Sequence, residues 1–424
     1  MKKTVLKNVI ILVLMPVLGL FLMLLVHLLP VEGMKDNVMT SIDSLTKEFT
    51  DELAIDGYNA SMIGNFTDSL MTEFAIYDSP HPVFEQVMFM YRKESCPDGG
   101  WWPGVSLTDY LYGNPQPVEV EYSRYWHGYL IVLKPLFLFC SLNSVRLFNS
   151  IFQIILLSAA LIGLSKNGHT KVALALAASM PFMYFFSSFA SLSLSICIYI
   201  LLAEMILIGF FNDKFKSGYG YVTFFMIAGA AVAFFDFLTY PLVTLAIPLC
   251  AVLCMNGEEK LKKGFLNILI NSLSWGVGYI YMWASKWVLA LIFTGNNTVK
   301  DAIATVSLRT SNAPGAGRIK GYVTCLKSNL SPFANRAFAC LFICILIYIA
   351  VNLILELKMK NSLSVNKAVP AIVIGIIPFA WWFVTLNHSS EHWMFTCRIF
   401  AVSIFSLICA FSAFTKKREE EKSV

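Results

Sequence analysis

Long apolar runs with few or no charges recur from one end of the 424-residue chain to the other. A helix needs about 20 such residues to cross a hydrocarbon core of about 30 Å. Charged residues make up 14% of the chain, whereas a soluble domain is about a quarter charged. The sequence therefore predicts an all-α polytopic membrane protein. Its ten predicted transmembrane helices are the opening segment 1–29 and the runs 145–164, 172–189, 191–211, 220–236, 239–255, 265–293, 337–356, 369–386 and 394–414.

A further apolar run at 127–142, with Lys134 and Pro135 in its middle, raises the question of an eleventh span. Positively charged connections mark the cytoplasmic side of a membrane protein. With ten spans, every short basic connection falls on the side of the N-terminus, whereas an eleventh span would invert every connection after residue 142. The sequence therefore predicts an interfacial or re-entrant helix at 127–142, a cell-membrane location, and cytoplasmic N- and C-termini.

The opening segment has the basic start and apolar core of a signal peptide, but the core is too long and no small-residue cleavage site follows it. We therefore expect a retained first span. Two long exterior segments follow from this topology, and their length favours a functional role. The predicted layout is a first transmembrane helix in 1–29, a helical exterior cap loop in 30–126, the interfacial helix in 127–142, transmembrane helices two to seven in 145–293, a second exterior loop in 294–336, transmembrane helices eight to ten in 337–414 and a cytoplasmic tail in 415–424.

An exterior site for acid–base chemistry needs a carboxylate, and the segment NFTDSLMTEFAIYDS supplies Asp68, Glu73 and Asp78. Asp68 is the candidate catalytic residue, because a carboxylate near the membrane plane could take a proton from an acceptor hydroxyl. The alternative is a structural role, in which Asp68 caps the start of a loop helix. Three other exterior acids are weaker candidates: Glu32, Asp36 and Glu121.

Cations among aromatic residues precede the interfacial helix in the segment EYSRYWHGY. Arg124 could hold a phosphate, while Trp126 or His127 contacts a sugar or lipid headgroup. The alternative is an ordinary aromatic belt at the membrane interface. Lys286 is flanked by two tryptophans near the exterior end of its span, where it either reaches toward the headgroups or binds phosphate.

The later exterior segments carry further cations and histidines. Arg309 and Arg318 flank the segment NAPGAG of the second exterior loop, which could act as a lid over a lipid phosphate. His388 and His392 are four residues apart in the turn NHSSEHW, which puts them on one face if the turn is helical. There they could hydrogen-bond to substrate or to neighbouring loops, and the alternative is a metal site. Arg398 follows at the start of the last span. A buried arginine in a span usually faces a polar cavity, although this one is also close enough to the interface to reach it.

Most of the ten cysteines lie within predicted spans, where they are typical small apolar residues. Their spacing matches no zinc motif, so the sequence predicts no metal ligands. A disulfide between Cys96 and Cys325 is an open alternative, because both are in exterior loops. No basic stripe interleaved with aromatics indicates a nucleic-acid partner.

Two segments carry a family resemblance. HGYLIVLKPLFLFCSLNSVRLFNSIFQIILL joins a hydrophobic helix, an Arg-Leu pair at Arg146 and a span. ALALAASMPFMYFFSSFASLSLSICIYILL joins a proline-containing span to a short exterior turn. Together with the long first exterior loop, this arrangement resembles the GT-C class of integral membrane glycosyltransferases, and the resemblance covers most of the chain.

The resemblance implies an inverting sugar transfer from a polyprenyl-phosphate donor to a cell-envelope glycan, lipid or protein on the exterior face. An acidic residue of the first exterior loop would be the base or the ligand of a divalent cation, a role that falls on Asp68 here. Cationic and histidine side chains of later loops would hold the donor phosphate. The cofactor stays open, and the partners implied are the polyprenyl-phosphate-linked sugar and membrane lipid.

Two other classes of function compete with this prediction. A transporter or flippase of a lipid-linked glycan would carry polar residues near the bilayer midplane and repeated halves. A non-catalytic membrane scaffold would tolerate substitution of Asp68 or Arg398 as long as it folds. The crowding of polar residues at the exterior ends of the spans favours the transferase.

Overall fold

The segment predicted as an exterior cap folds into short helices and one small sheet. The computed structural model describes residues 2–46, 61–95, 102–114, 118–216, 220–257, 260–312, 315 and 317–415. The first elements are α1 (Lys2–His27), α2 (Glu32–Met39), α3 (Asp43–Thr46), α4 (Asn65–Ile76), α5 (Val83–Phe89), β1 (Arg92–Glu94), α6 (Pro103–Tyr112) and β2 (Val118–Val120). Strands β1 and β2 pair antiparallel, with Arg92 opposite Val120. The described residues of this segment are therefore mainly helical, with a two-stranded sheet that the sequence analysis did not anticipate.

The apolar run at 127–142 forms helix α7 (Leu130–Phe137), which has 8 residues. A helix of this length is about 12 Å long, less than half of a hydrocarbon core. Helix α7 is therefore too short to cross a membrane by itself, and its interfacial position stays a prediction.

The next part of the chain consists of apolar helices joined by short connections. These are α8 (Leu142–Lys166), α9 (Thr170–Ser179), α10 (Leu192–Lys216), α11 (Gly220–Phe235), α12 (Val243–Asn256) and α13 (Leu261–Thr294). The Ser141 hydroxyl caps α8 by accepting a hydrogen bond from the Ser144 amide, as serine commonly does at a helix start. The predicted run 172–189 is only partly α-helical, because 3-10 turns at Met180–Met183 and Ser187–Ala190 follow α9.

The second exterior loop is largely helical. The remaining elements are α14 (Thr298–Thr310), α15 (Arg318–Leu330), α16 (Arg336–Lys358), β3 (Ser362–Leu363), α17 (Val365–Val384), α18 (Leu386–Glu391), α19 (Trp393–Thr396), α20 (Ala401–Ser412) and β4 (Phe414–Thr415). A 3-10 turn, Cys397–Phe400, joins α19 to α20. Arg309 and Arg318 lie on the facing ends of α14 and α15, on either side of Gly315.

Seven helical segments among the described residues are long and apolar enough to cross a membrane, as expected of a multi-pass membrane protein. They are Val5–His27, Leu142–Lys166, Leu192–Lys216, Leu261–Thr294, Arg336–Lys358, Val365–Val384 and Trp393–Ser412. Three shorter apolar helices are Thr170–Met183, Gly220–Phe235 and Val243–Asn256. Each of the ten predicted spans falls on one of these segments, so the all-helical class is confirmed, while the count of ten crossings stays a prediction.

The short basic connections meet at one end of the helix bundle, which we call the basic end. Lys171 at the start of α9 pairs with Glu356 at the end of α16. The Lys367 ammonium group at the start of α17 donates to the Cys254 carbonyl near the end of α12 (2.8 Å). Strands β3 and β4 also pair there. The opposite end carries α2 to α7, and we call it the cap end.

Two buried hydrophobic clusters hold the helices together. One lies among α9, α10, α12, α17 and α20. The other joins α1, α4 and α7 to α11 and α13, and so fixes the cap on the bundle.

Candidate functional site

The Asp68 side chain is fully buried at the cap end, where α4 meets the start of α10. Asp68 lies in the first turn of α4, whose N-cap residue is Gly64, so it does not cap its own helix. Its Oδ2 accepts from the Leu192 amide (2.9 Å), and its Oδ1 accepts from the Ser193 amide (2.9 Å) and hydroxyl (2.8 Å). The first amides of a helix have no partner within it, and they favour a negative charge. Asp68 therefore caps α10 from a different helix.

Arg146 completes the environment of this carboxylate. Its Nη2 atom donates to Asp68 Oδ2 (3.1 Å) and to Asn65 Oδ1 (2.7 Å), which ties α8 to α4. Both oxygens of Asp68 are thus occupied, and accepting a proton would disturb one of these bonds. The Arg146 Nε atom is buried without a hydrogen-bond partner.

The residues between α9 and α10 connect Asp68 to a second polar cluster. We call residues 184–195 the serine connection, because it contains Ser187, Ser188, Ser191, Ser193 and Ser195. Ser193 binds Asp68, as described above, and the Ser187 hydroxyl accepts a hydrogen bond from Arg398 Nη2 (3.0 Å). Asp68 and Arg398 are far apart in sequence, but both form hydrogen bonds to the serine connection.

An apolar groove of about 710 Å³ shares the wall residue Leu192 with the surroundings of Asp68. It lies between α7, α8 and α10, and its walls include Met71 of α4, Leu133 of α7, Val145 and Phe148 of α8, and Leu192 of α10. The Leu192 amide is one of the donors to Asp68, and Val145 precedes Arg146. The groove is open to the outside of the bundle, since the Phe148 side chain is 50% exposed. Two residues of the groove wall, Val145 and Leu192, thus adjoin the Arg146–Asp68 pair.

Arg398 is buried without a carboxylate partner. Its Nη1 atom donates to the Met394 carbonyl (2.7 Å), and its guanidinium group lies over the Tyr184 and Tyr240 rings, at 5.3 and 5.9 Å from their centroids. Its Nε atom has no hydrogen-bond partner. Within the described residues, no ion pair involves Arg398, Arg309 or Arg318. A buried cation without a counter-ion is costly, which favours an anionic ligand nearby.

His388 and His392 come together because the turn between the last two predicted spans is helical. Their ring centroids are 4.9 Å apart, and Arg309 Nη1 lies 2.7 Å from His392 Nε2. Burial lowers the pKa of His388 to about 3 and the pKa of His392 to about 4, and the positive charge of Arg309 lowers both further. Both rings are therefore neutral at pH 7, and Arg309 supplies the positive charge of this group.

Arg318 and Lys286 donate to backbone carbonyls. Arg318 binds the Thr310 and Phe383 carbonyls at 2.9 and 2.7 Å and so joins α15 to α14 and α17. Lys286 is fully buried and donates to the Tyr125 carbonyl. The Lys286 ammonium group is thus bound inside the fold, where it joins the segment around Tyr125 to α13.

The segment around Arg124 is fixed to α13 by its neighbours. Trp283 and Trp287 donate to the Arg124 carbonyl, and the Arg124 side chain pairs with Asp301 of α14 at 3.3 Å. Trp126 is fully buried and donates to the Met282 carbonyl (2.6 Å).

His127 is also buried, with a φ of +57° that is strained for a residue with a side chain. Its ring nitrogens lie 3.0 Å from the Tyr129 hydroxyl and 3.1 Å from the Tyr122 carbonyl. Both nitrogens are occupied within the fold, which places His127 in the packing of the cap in this structure.

Tyr125 links the groups around Arg124 and Arg309. Burial raises the pKa of the Tyr125 hydroxyl, the neighbouring Tyr122 adds to the shift, and the charges of Arg309 and Arg124 oppose it. Helix α14 contacts two of the predicted phosphate-binding residues, since its Asp301 pairs with Arg124 and its Arg309 contacts His392. Asp68 and Arg398 both contact the serine connection.

Glu73 is a functional candidate that the choice of Asp68 passed over. It is fully buried on α4, its Oε1 accepts from the Lys93 amide (2.6 Å), and its Oε2 has no partner. Burial raises the pKa of Glu73 from its usual 4.5 to about 8, against the opposing charge of Arg92. The sequence analysis noted Glu73 in the same segment as Asp68, but no local sequence pattern shows which of these carboxylates receives hydrogen bonds in the fold.

The predicted pair of Cys96 and Cys325 cannot be examined, since Cys96 lies outside the described residues. Cys325 is buried as a free thiol. The resemblance to the GT-C class stays a prediction that rests on the sequence segments quoted above. No protein-family model, no curated protein and no solved structure matches the chain.

Proposed function

We propose that the chain is a membrane glycosyltransferase that moves a sugar from a polyprenyl-phosphate donor to a cell-envelope acceptor on the exterior face. The observation that carries this proposal is the apolar groove whose walls include Val145 and Leu192, the first next to Arg146 in the chain and the second bound to Asp68 through its amide. A substrate with a long hydrocarbon chain and an anionic headgroup matches both parts of this arrangement. The architecture that resembles the GT-C class supports the same substrate class.

The groove suits the isoprenoid chain of the donor. Its walls are almost entirely aliphatic and aromatic, and its volume of about 710 Å³ is within the usual range of ligand sites. It opens between α7, α8 and α10, two of which are long enough to cross a membrane. In a bilayer, a hydrocarbon tail can enter such an opening sideways without crossing water.

The cations at the cap end suit the phosphate of the leaving group. Arg146 follows the groove residue Val145 in the chain, and its Nε atom has no hydrogen-bond partner. Arg398 follows along the serine connection, and it has no carboxylate partner among the described residues. Positive groups fixed in advance stabilise the negative charge that grows on a departing phosphate.

The two buried carboxylates of α4 suit different tasks. Asp68 is saturated with donors, which favours a positioning role in which it fixes Arg146 and the start of α10. Glu73 has one free oxygen and a pKa raised to about 8, properties that suit a general acid or base near neutral pH. Asp68 as the base remains the prediction of the resemblance.

The experiment is sugar transfer by the purified chain in proteoliposomes, with a panel of polyprenyl-phosphate sugars as donors. We expect transfer from at least one donor. Ala203 of α10 lines the groove, so Ala203→Phe places a ring where the isoprenoid would lie and should raise the KM for the donor about tenfold or more.

Leu207 is the matched control, because it lies on the same helix with its side chain 40% exposed and outside the groove. Leu207→Phe should leave the KM unchanged. Absence of transfer from every donor, or equal effects of the two phenylalanines, would contradict the proposal.

One observation favours a second candidate, a transporter of the lipid-linked glycan. Glu204 is buried halfway along α10, and neither of its carboxyl oxygens has a hydrogen-bond partner. Unpaired acids inside a span are typical of proton-coupled carriers. In the same proteoliposomes, movement of the donor between leaflets without sugar transfer, and its loss in Glu204→Gln, would decide for this candidate.

A further inference from the structure

Three cysteine thiols meet inside the bundle close to the basic end, on the side opposite the proposed transferase site. The Sγ atoms of Cys250, Cys254 and Cys409 all lie within 4.8 Å of one another. All three are free thiols; Cys250 and Cys409 are buried and Cys254 is half-buried. Cys250 and Cys254 are four residues apart on α12, which puts them on one helix face, and Cys409 faces them from α20.

We propose that these three residues form a binding site for copper(I). Thiolates are soft ligands that select copper(I), which is stable with few ligands. Three sulfurs at about 2.3 Å from one ion in a plane would be about 4 Å apart, so small rotations of the side chains close the present triangle. Among the described residues, no histidine or carboxylate atom joins the cluster, whereas a structural zinc site needs a fourth ligand.

The surroundings provide access and charge. Cys254 lies two residues before the end of α12 at Asn256, so an ion can reach the cluster from the end of the bundle. The Lys367 ammonium group lies 2.8 Å from the Cys254 carbonyl oxygen. Binding one copper(I) ion forms three Cu–S bonds and releases up to three thiol protons to solvent. The positive charge of Lys367 then offsets part of the negative charge of the thiolates.

This site escaped prediction because its ligands come from helices that are distant in the sequence. Spacing rules for metal sites search for ligands close together along the chain. Here the packing of α20 against α12 brings the third sulfur into place. The inference stands apart from the proposed transferase, and neither depends on the other.

The test is an anaerobic titration of the full-length protein in detergent with copper(I), in competition with a chromogenic copper(I) chelator. We expect one ion per chain and an X-ray absorption spectrum with sulfur ligands only. Loss of one of three ligands in Cys409→Ser should weaken binding about a hundredfold. Cys197→Ser is the matched control, since Cys197 is buried on α10 and outside the cluster, and its affinity should equal that of the wild type.

Thermal unfolding of each variant shows whether it is folded, and silver(I), which shares the preference for thiolates, provides a second probe through the shift in Tm. Silver(I) should raise the Tm of the wild type and of Cys197→Ser, and not that of Cys409→Ser. Equal copper(I) affinities of the wild type and Cys409→Ser, or preference for zinc over copper(I), would overturn the proposal.

Discussion

The two ends of helix α4 carry buried carboxylates with opposite surroundings. Asp68, in the first turn, accepts hydrogen bonds from Arg146, from two backbone amides and from a hydroxyl. Glu73, further along, accepts one hydrogen bond and leaves its second oxygen unpaired. Both side chains are fully buried, so burial alone does not determine their chemistry.

The difference lies in what each carboxylate meets. The start of α10 offers Asp68 two backbone amides, and Arg146 adds a positive charge. Glu73 meets too few donors to offset the loss of water, so its neutral form is favoured and its pKa rises. The same helix thus carries one carboxylate with both oxygens hydrogen-bonded and one with an unpaired oxygen and a raised pKa.

Removing Arg146 should have the largest effect on the free energy of unfolding, because it removes the cation that pairs with Asp68. Arg146→Met leaves the Asp68 carboxylate buried without its cation, which should lower the free energy of unfolding by about 3–5 kcal/mol. Denaturation in detergent, followed by circular dichroism, measures this change. A loss below about 1 kcal/mol, the range of exposed pairs, would show that the amides of α10 alone sustain the charge.

A change of pH should have an effect of intermediate size on the free energy of unfolding, and this effect comes from Glu73. Between about pH 5 and pH 8 the folded chain keeps the Glu73 proton that the unfolded chain has lost, so stability falls as the pH rises through this window. The slope from this residue is at most about 1.4 kcal/mol per pH unit. Unfolding curves of Glu73→Gln at a series of pH values should lack this slope.

Glu85→Gln is the control for that experiment, because Glu85 lies on the neighbouring helix α5 with a side chain 39% exposed. Its pH dependence should match that of the wild type. A difference in stability between the wild type and Glu73→Gln that does not change between pH 5 and pH 8 would mean that Glu73 is ionised in the folded chain.

The smallest effect on the free energy of unfolding is expected at Arg124 and Asp301, which form a more exposed pair of the same type as Arg146 and Asp68. Arg124 and Asp301 form an arginine–aspartate pair at 3.3 Å, but Asp301 is 54% exposed. Water competes for both groups, so Asp301→Asn should lower the free energy of unfolding by less than about 1 kcal/mol. The same unfolding assay, repeated at high salt, checks the result. A loss of stability as large as that of Arg146→Met would show that burial does not explain the difference between the two ion pairs.

The membrane helices could be predicted from the sequence because the interactions that form them lie within each segment. A run of apolar residues must satisfy its backbone hydrogen bonds within itself, and a helix does so. The run 265–293, for example, falls within α13, although Lys286 interrupts it. The strands β1 and β2 were not predicted, because their pairing joins segments separated by a helix and by residues outside the described part.

The sequence indicated candidate residues and not their contacts. Asp68 lies on α4 in the predicted cap segment, but the amides that surround it belong to Leu192 and Ser193, which no local pattern connects to it. Arg146 was noticed only for the family resemblance. The partners of Trp126 and Lys286 could not be predicted either, because they are backbone carbonyls, which every residue has. Repeated serines before α10 were the one visible signal of a polar junction.

The serine connection joins the two polar clusters through one short stretch of chain. Ser187 and Ser193 are six positions apart, and they contact Arg398 and Asp68 respectively. If binding of an anion near Arg398 moves the start of α10, then by reciprocity a substitution at Asp68 must change the affinity for that anion by the same free energy.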